Sequence, residues 1–146
     1  MTIIPRHGYV YLLKHKSEAL KKFKNYKTKV EKQLGRPITS INNDKGGEYD
    51  AFDEFCRRGG GGLEGIWHIY TMPYKPQENG IVERRSRTLM EMSRSMMTHS
   101  QFRLTFWGEA LSTANYLLNR VNTNSKNLTP YEYWPSHKPD LSNLRV

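Results

Sequence analysis

The stretch from Tyr74 to Leu89 restricts this chain most, because it must turn and then enter a long helix. Pro76 blocks helix before it, and Asn79-Gly80 reads as a turn pair with Asn79 placed to cap the helix. From about Gly80 to Met97, the residues Val82, Leu89, Met92 and Met96 recur near one face of a 3.6-residue period. Glu83 falls in the expected first turn, off that face, among Arg84, Arg85 and Arg87. An outward carboxylate ringed by guanidinium groups suits a site that holds a metal ion and a phosphate backbone. A structural role also fits. An acid in a first turn favours the helix dipole, and Glu83 with Arg87 has the spacing of an i,i+4 pair.

A second stretch, Ile38-Thr-Ser-Ile-Asn-Asn-Asp44-Lys-Gly-Gly-Glu-Tyr49, reads as a short strand that ends at Asp44 and opens into a Gly-Gly loop. Open α/β sheets place their chemistry at the carboxyl ends of strands. Asp44 and Glu83 have 38 residues between them.

Together these stretches resemble the second and third acids of a retroviral-type integrase core, in its copia-type retrotransposon branch. The matching residues are Asp44-Lys-Gly-Gly-Glu-Tyr and Pro73-Tyr-Lys-Pro-Gln-Glu-Asn-Gly-Ile-Val-Glu-Arg-Arg. Further matches are Tyr9-Val-Tyr-Leu-Leu-Lys-His-Lys-Ser-Glu, Phe106-Trp-Gly-Glu-Ala, Asn119-Arg-Val and Thr129-Pro-Tyr-Glu, in order along almost the whole chain.

The resemblance implies a ribonuclease-H-like α/β fold with a helical carboxyl-terminal half. It implies Asp44 and Glu83 as catalytic acids and as ligands of Mg²⁺ or Mn²⁺. It assigns DNA contacts to Tyr74, Lys75, Gln77 and Asn79, and similar work to Arg84 and Arg87. In such chemistry two divalent ions about 3.5–4 Å apart clamp the attacking and leaving oxygens of an in-line displacement. Hard ions of this kind take oxygen ligands, usually one or two carboxylates plus water and phosphate. The nucleophile is water for 3′-end processing and a 3′ hydroxyl for strand transfer. No covalent enzyme intermediate is required, so the lack of a Ser/His or Cys/His arrangement is no objection.

The amino-terminal end departs from the family. There, two strands precede the one that here would start at Gly8, and the first of them carries the first catalytic acid. This chain opens Met1-Thr-Ile-Ile-Pro-Arg-His, and no Asp or Glu comes before Glu18, which sits in the first turn of a lysine-rich helix. Arg6 and Gly8 match the end of the second strand. The expectation is an integrase core lacking its first two strands, with two of three acids, inactive by itself and prone to aggregate through exposed strand edges. Residues 1–134 would form the partial core and 135–146 a linker. Two other readings stay open: a non-catalytic nucleic-acid-binding relic of the fold, and a nuclease of the same fold.

Composition agrees with a nucleic-acid partner. The net charge is +9 over 146 residues, which points to a polyanion. Counted with glycine and without tyrosine, the apolar share is about 38%, below the usual ~45–50%, so the core should be modest. One cysteine, Cys56, excludes an internal disulfide, and the five histidines lack zinc-ligand spacing. No apolar run is long enough to span a membrane, and no signal-peptide pattern is present. An intracellular protein is expected, nuclear or in a virus-like particle within a functional element, acting as a homo-oligomer when intact.

Patterning predicts the remaining elements. Gly8–Lys14 is rich in β-formers and predicts a strand. Ser17–Leu34 predicts a helix, with Ser17 as N-cap, an apolar face of Ala19, Phe23, Tyr26, Val30 and Leu34, and a stop at Gly35 and Pro37. Its lysines lie mostly on the other faces and read as a solvated surface. A short helix over Asp50–Arg58 should bury Phe52, Phe55 and Cys56, and Gly59–Gly62 reads as an insertion before a strand at Ile66–Thr71. Thr105–Arg120 predicts a helix that packs through Phe106, Trp107, Ala110, Leu117 and Leu118. Thr129-Pro-Tyr-Glu is a capping-box pattern with proline at the first helical position.

Overall fold

A computed structural model of the chain describes residues 7–43, 50–58, 66–70, 76–121, 128–134 and 138–142. They fall into two compact units. One is drawn from Tyr11–Arg84, the other from Met1–Val10 and Arg85–Val146.

In the first unit, α1 spans Ala19–Leu34 after a 3-10 turn at Lys16–Glu18. Ser17 does not cap it. Glu18 holds the N-cap position without a side-chain cap bond, because the chain is already coiled from Lys16. Gly35 ends α1 in the left-handed conformation, φ 62°, and its N–H donates to Glu31 O at 2.9 Å. That conformation is the one glycine adopts without steric cost.

Strand β1 (Ser40–Asn43) pairs in parallel with β2 (Trp67–Tyr70), in the register Ser40–Trp67 to Asn43–Tyr70. Parallel neighbours need a crossover, and α2 (Asp50–Arg57) lies within it. Both strands are shorter than predicted. Asp44, Gly59–Gly62 and Thr71 lie outside the described residues. Phe52, Cys56 and Ile66 form a buried cluster against which Leu20, Phe23, Ile38, Ile41 and Phe55 pack. The Phe23 and Phe52 rings lie 4.6 Å apart. Val30 is buried as expected, but Leu34 is exposed at the end of its helix. Trp67 and Ile69, alternate residues on one face of β2, are exposed at 78% and 49%.

Helix α3 spans Pro76–Ser100 and passes from the first unit into the second. It starts four residues before the predicted helix start at Gly80, so Asn79-Gly80 lies inside the helix. Proline at the first helical position costs no hydrogen bond, and Gln77 and Glu78 are compatible with a first turn. The expected apolar face is realised only in its later part. Leu89 is buried and Met92 and Met96 pack beside it, whereas Val82 is 65% exposed.

In the second unit, α4 (Trp107–Arg120) buries Ala110, Leu111, Ala114, Leu118 and Asn119. Leu89, Leu111, Ala114 and Leu118 make its core, with Val10 packed against them. Phe106 and Trp107, predicted to pack, are 49% and 41% exposed, and the Phe102 and Phe106 rings lie 5.5 Å apart at the surface. Helix α5 (Pro130–Tyr133) opens with the predicted capping box. Glu132 N donates to Thr129 Oγ1 at 3.2 Å, and Thr129 N donates to Glu132 Oε2 at 2.7 Å.

The predicted strand at Gly8–Lys14 is not formed; residues 7–13 are irregular. Gly8 bonds instead to side chains of α4. Its N–H donates to Asn119 Oδ1 at 2.9 Å, and its carbonyl accepts from Asn119 Nδ2 at 2.8 Å and Asn115 Nδ2 at 3.0 Å. β-Propensity needs a neighbouring ladder to express itself, and side-chain amides have taken that place here.

Candidate nucleic-acid interface and catalytic acids

The two paired strands end side by side, at Asn43 and Tyr70. Asp44 follows Asn43 directly in sequence, and α3 begins six residues after Tyr70. Asp44, Tyr74 and Lys75 lie outside the described residues. Gln77 and Asn79 are placed by backbone alone, in the first turn of α3, and their side chains lie outside what is described.

Glu83, Arg84 and Arg87 are all exposed on α3. The earlier start of α3 puts Glu83 two turns in, beyond the reach of the helix dipole, which fades within the first turn. The i,i+4 pair with Arg87 is not made either, since no ion pair joins Glu83 to any described residue. Both local structural roles open to Glu83 are therefore unfilled, and its carboxylate faces solvent among arginines.

Arg85 behaves differently. It is half-buried, its Nη2 donates to Asn119 Oδ1 at 2.7 Å and to Asn115 Oδ1 at 3.1 Å, and burial lowers its pKa from the ordinary arginine value. It is a packing residue, unlike its neighbours Arg84 and Arg87. Two matched motifs also do structural work. Asn119 pins Gly8, while the Arg120 guanidinium lies 3.5 Å from the Tyr116 ring and 4.3 Å from the Tyr131 ring. His7 stacks on Trp134 at 5.3 Å, with Tyr9 edge-on to the same indole at 6.1 Å. Sequence reasoning missed Asn115 and had Asn119 only as part of a matched motif, without this role. Their signal was an i,i+4 amide pair flanking the apolar Ala114 and Leu118.

Among the described residues, no group of three His, Cys, Asp or Glu side chains is placed to hold a metal ion. The donor chemistry of Asp44 and Glu83, two hard carboxylates, fits Mg²⁺ or Mn²⁺. Among the described residues, no helix is long and apolar enough to cross a membrane.

No protein-family model matches the chain. Relatives do. It is 36% identical over 144 residues to the Retrovirus-related Pol polyprotein from transposon TNT 1-94 of Nicotiana tabacum, covering 97% of this chain and 10% of that one. It is 30% identical over 142 residues to the corresponding polyprotein from transposon RE2 of Arabidopsis thaliana, covering 97% of this chain and 9% of that one. In fold it is similar to a chain of the simian T-cell lymphotropic virus intasome, with a TM-score of 0.56 and 24% identity, covering 87% of this chain and 43% of that one. It is also similar to the HTLV-2 integrase catalytic core domain, solved in complex with magnesium in a trimeric form. There the TM-score is 0.56 and the identity 20%, covering 82% of this chain and 71% of that one.

The chain is similar to retrotransposon Pol polyproteins over 97% of its length and, in fold, to integrase catalytic cores.

The match takes in all the described elements of both units, and the fold is that of integrase catalytic cores. The chain spans about a tenth of the length of the curated relatives it matches.

Proposed function

We propose that this integrase-core segment contributes two carboxylates, Asp44 and Glu83, to a metal-dependent polynucleotidyl transferase site for 3′-end processing and strand transfer. The observation that carries the reading is the state of Glu83: exposed, outside the dipole's reach and without an ion pair to any described residue, in the position the family motif gives to an acid. Bound Mg²⁺ or Mn²⁺ would supply charge neutralisation at the reacting phosphate. Asp44 and Glu83 would hold it through hard oxygen ligands. Arg84 and Arg87, both solvent-facing, would neutralise phosphates, and Tyr74, Lys75, Gln77 and Asn79 would position the DNA strand.

The 146 residues supply two of the three acids that the resemblance calls for, so the polypeptide alone should be silent. Function would require a third carboxylate and additional strands from outside these residues, in a homo-oligomer acting on DNA within the cell, in the nucleus or a virus-like particle. Exposed Trp67 and Ile69 leave an apolar strand face in solvent, as expected where a covering layer or partner surface lies outside these residues. The net charge of +9 supports the second reading, a non-catalytic nucleic-acid binder.

A Mg²⁺- or Mn²⁺-dependent nicking and strand-transfer assay at low salt separates them. The chain extended by two further family strands should join DNA ends, and Asp44→Asn or Glu83→Gln should abolish joining. Full activity of the extended chain carrying Glu83→Gln would overturn the assignment. Nicks without joining would mark a nuclease.

A further inference from the structure

We propose that the solvent face of α1 is a DNA-binding surface that grips the phosphate backbone of a duplex without reading its sequence.

Helix α1 carries six lysines and one acid, Glu31. That acid is engaged elsewhere. Glu31 Oε2 accepts from Lys27 Nζ at 2.8 Å, and Oε1 accepts from Ile38 N at 2.8 Å. Lys21, Lys24, Asn25, Thr28 and Lys32 recur at intervals of three, four and seven and share one side of the helix; all five are exposed. The opposite side buries Val30 and packs Phe23 into the core, so the basic side is held outward, with the Lys24 ammonium at its edge lying 4.8 Å from the centre of the Phe55 ring. Among the described residues, no carboxylate pairs with Lys21, Lys24 or Lys32. Arg36 is exposed just beyond Gly35 and extends the positive charge past the helix end.

Helix stability does not account for this placement. Glu18 at the N-cap is the one carboxylate at the start of α1, and the two successive cations Lys21 and Lys22 stand near that positive end of the helix dipole, where cations are unfavourable. Fold stability would favour acids there. A polyanion would offset the cost.

Charge and spacing point to a duplex. From Lys21 to Lys32 the helix advances roughly 16 Å, over which double-stranded DNA presents about ten phosphate charges. A straight row of flexible ammonium groups meets such a backbone as point charges and carries no base readout. The stripe has no apolar side chain to enter a bilayer, which weighs against an anionic membrane surface.

The test is equilibrium binding of the 146-residue chain to a blunt DNA duplex by fluorescence anisotropy, in EDTA, across a salt series. Excluding divalent ions makes the result independent of the catalytic reading. Replacing Lys21, Lys24 and Lys32 together by Gln should weaken binding about tenfold at low salt and cut the log–log salt slope by roughly 2–3, at about 0.9 per phosphate contact. The matching Lys→Arg triple should keep both affinity and slope. Circular dichroism should show the same helix content in both triples.

Unchanged binding in the Gln triple, with the loss appearing only in Arg84→Gln/Arg87→Gln, would overturn the proposal. So would an Arg triple as weak as the Gln triple, or a preference for phosphatidylserine vesicles or RNA over the duplex.

Discussion

Arg85 Nη2 stands 2.7 Å from Asn119 Oδ1, and the same oxygen accepts the Gly8 N–H at 2.9 Å. Asn119 is only 3% exposed, so one buried amide holds both a guanidinium and a backbone segment. Through Nδ2 it also returns a hydrogen bond to Gly8 O, which makes it a two-point partner of the kind a neighbouring strand supplies. Asn119→Leu keeps the volume but strips Gly8 N–H and one bond of Arg85 of their acceptor. Leaving a buried donor unsatisfied costs about 1–3 kcal/mol, so urea denaturation should show a loss in that range. Asn115→Ala should cost less, because Gly8 O keeps its bond from Asn119.

Gly8 has no room for a side chain. A Cβ there would lie 2.5 Å from Arg85 Cζ, and Arg85 is tethered by two asparagines and cannot simply swing away. Gly8→Ala should therefore destabilise by about 1–3 kcal/mol, the usual cost of overpacking. A double-mutant cycle with Arg85→Ala checks the cause. The two losses should be strongly non-additive, since removing the guanidinium makes space for the methyl.

Gly80→Ala distinguishes helix from turn. If α3 runs unbroken from Pro76, alanine should stabilise it by about 0.8–1 kcal/mol through helix propensity. The space is available, as an added Cβ would meet only the Arg84 guanidinium, no nearer than 3.6 Å. An Asn79-Gly80 turn with positive φ would give the opposite sign, and thermal denaturation reads the difference.

Stability should fall with acid through Glu31. The Lys27 hydrogen bond, helped by Ile38 N–H, lowers its pKa from the ordinary 4.5. Below that value the unfolded chain binds more protons than the folded one, so stability rises with pH. The Glu31 contribution is fully present above pH ~4.5 and is lost as pH falls through the depressed folded value. Glu31→Gln should lower stability near neutrality and flatten its pH dependence below about pH 5, as followed by denaturation midpoints. Thr129→Ala, which removes the capping box of α5, should cost about 1 kcal/mol irrespective of that slope.

The sequence spoke most clearly where the determinants are local. Gly35, the Phe52/Cys56 face of α2 and the Thr129 capping box all appear as predicted, because each is decided within a few residues. The misreadings arose where distant partners decide. Gly8–Lys14 has strand composition, but Asn115 and Asn119 of α4, more than 100 residues away, claim Gly8 instead. Asn79-Gly80 has turn composition, yet it lies in a helix that Pro76 starts earlier. The far end of α3 carried no sequence mark either, because Gln101, and not a glycine, takes the left-handed conformation after it, with φ 53°. Of the candidate site, Glu83, Arg84 and Arg87 were legible as outward residues of one helix. Arg85 looked the same in sequence, and only the packing of α4 sets it apart.

Asp44 and Glu83 are proposed to belong to one divalent-metal site. Paramagnetic broadening of backbone amides by dilute Mn²⁺ tests it without requiring turnover. Amides around Asp44 and around Glu83 should broaden together, and Asp44→Asn or Glu83→Gln should reduce the effect at both places. Broadening at one stretch that persists unchanged when the other acid is neutralised would contradict it.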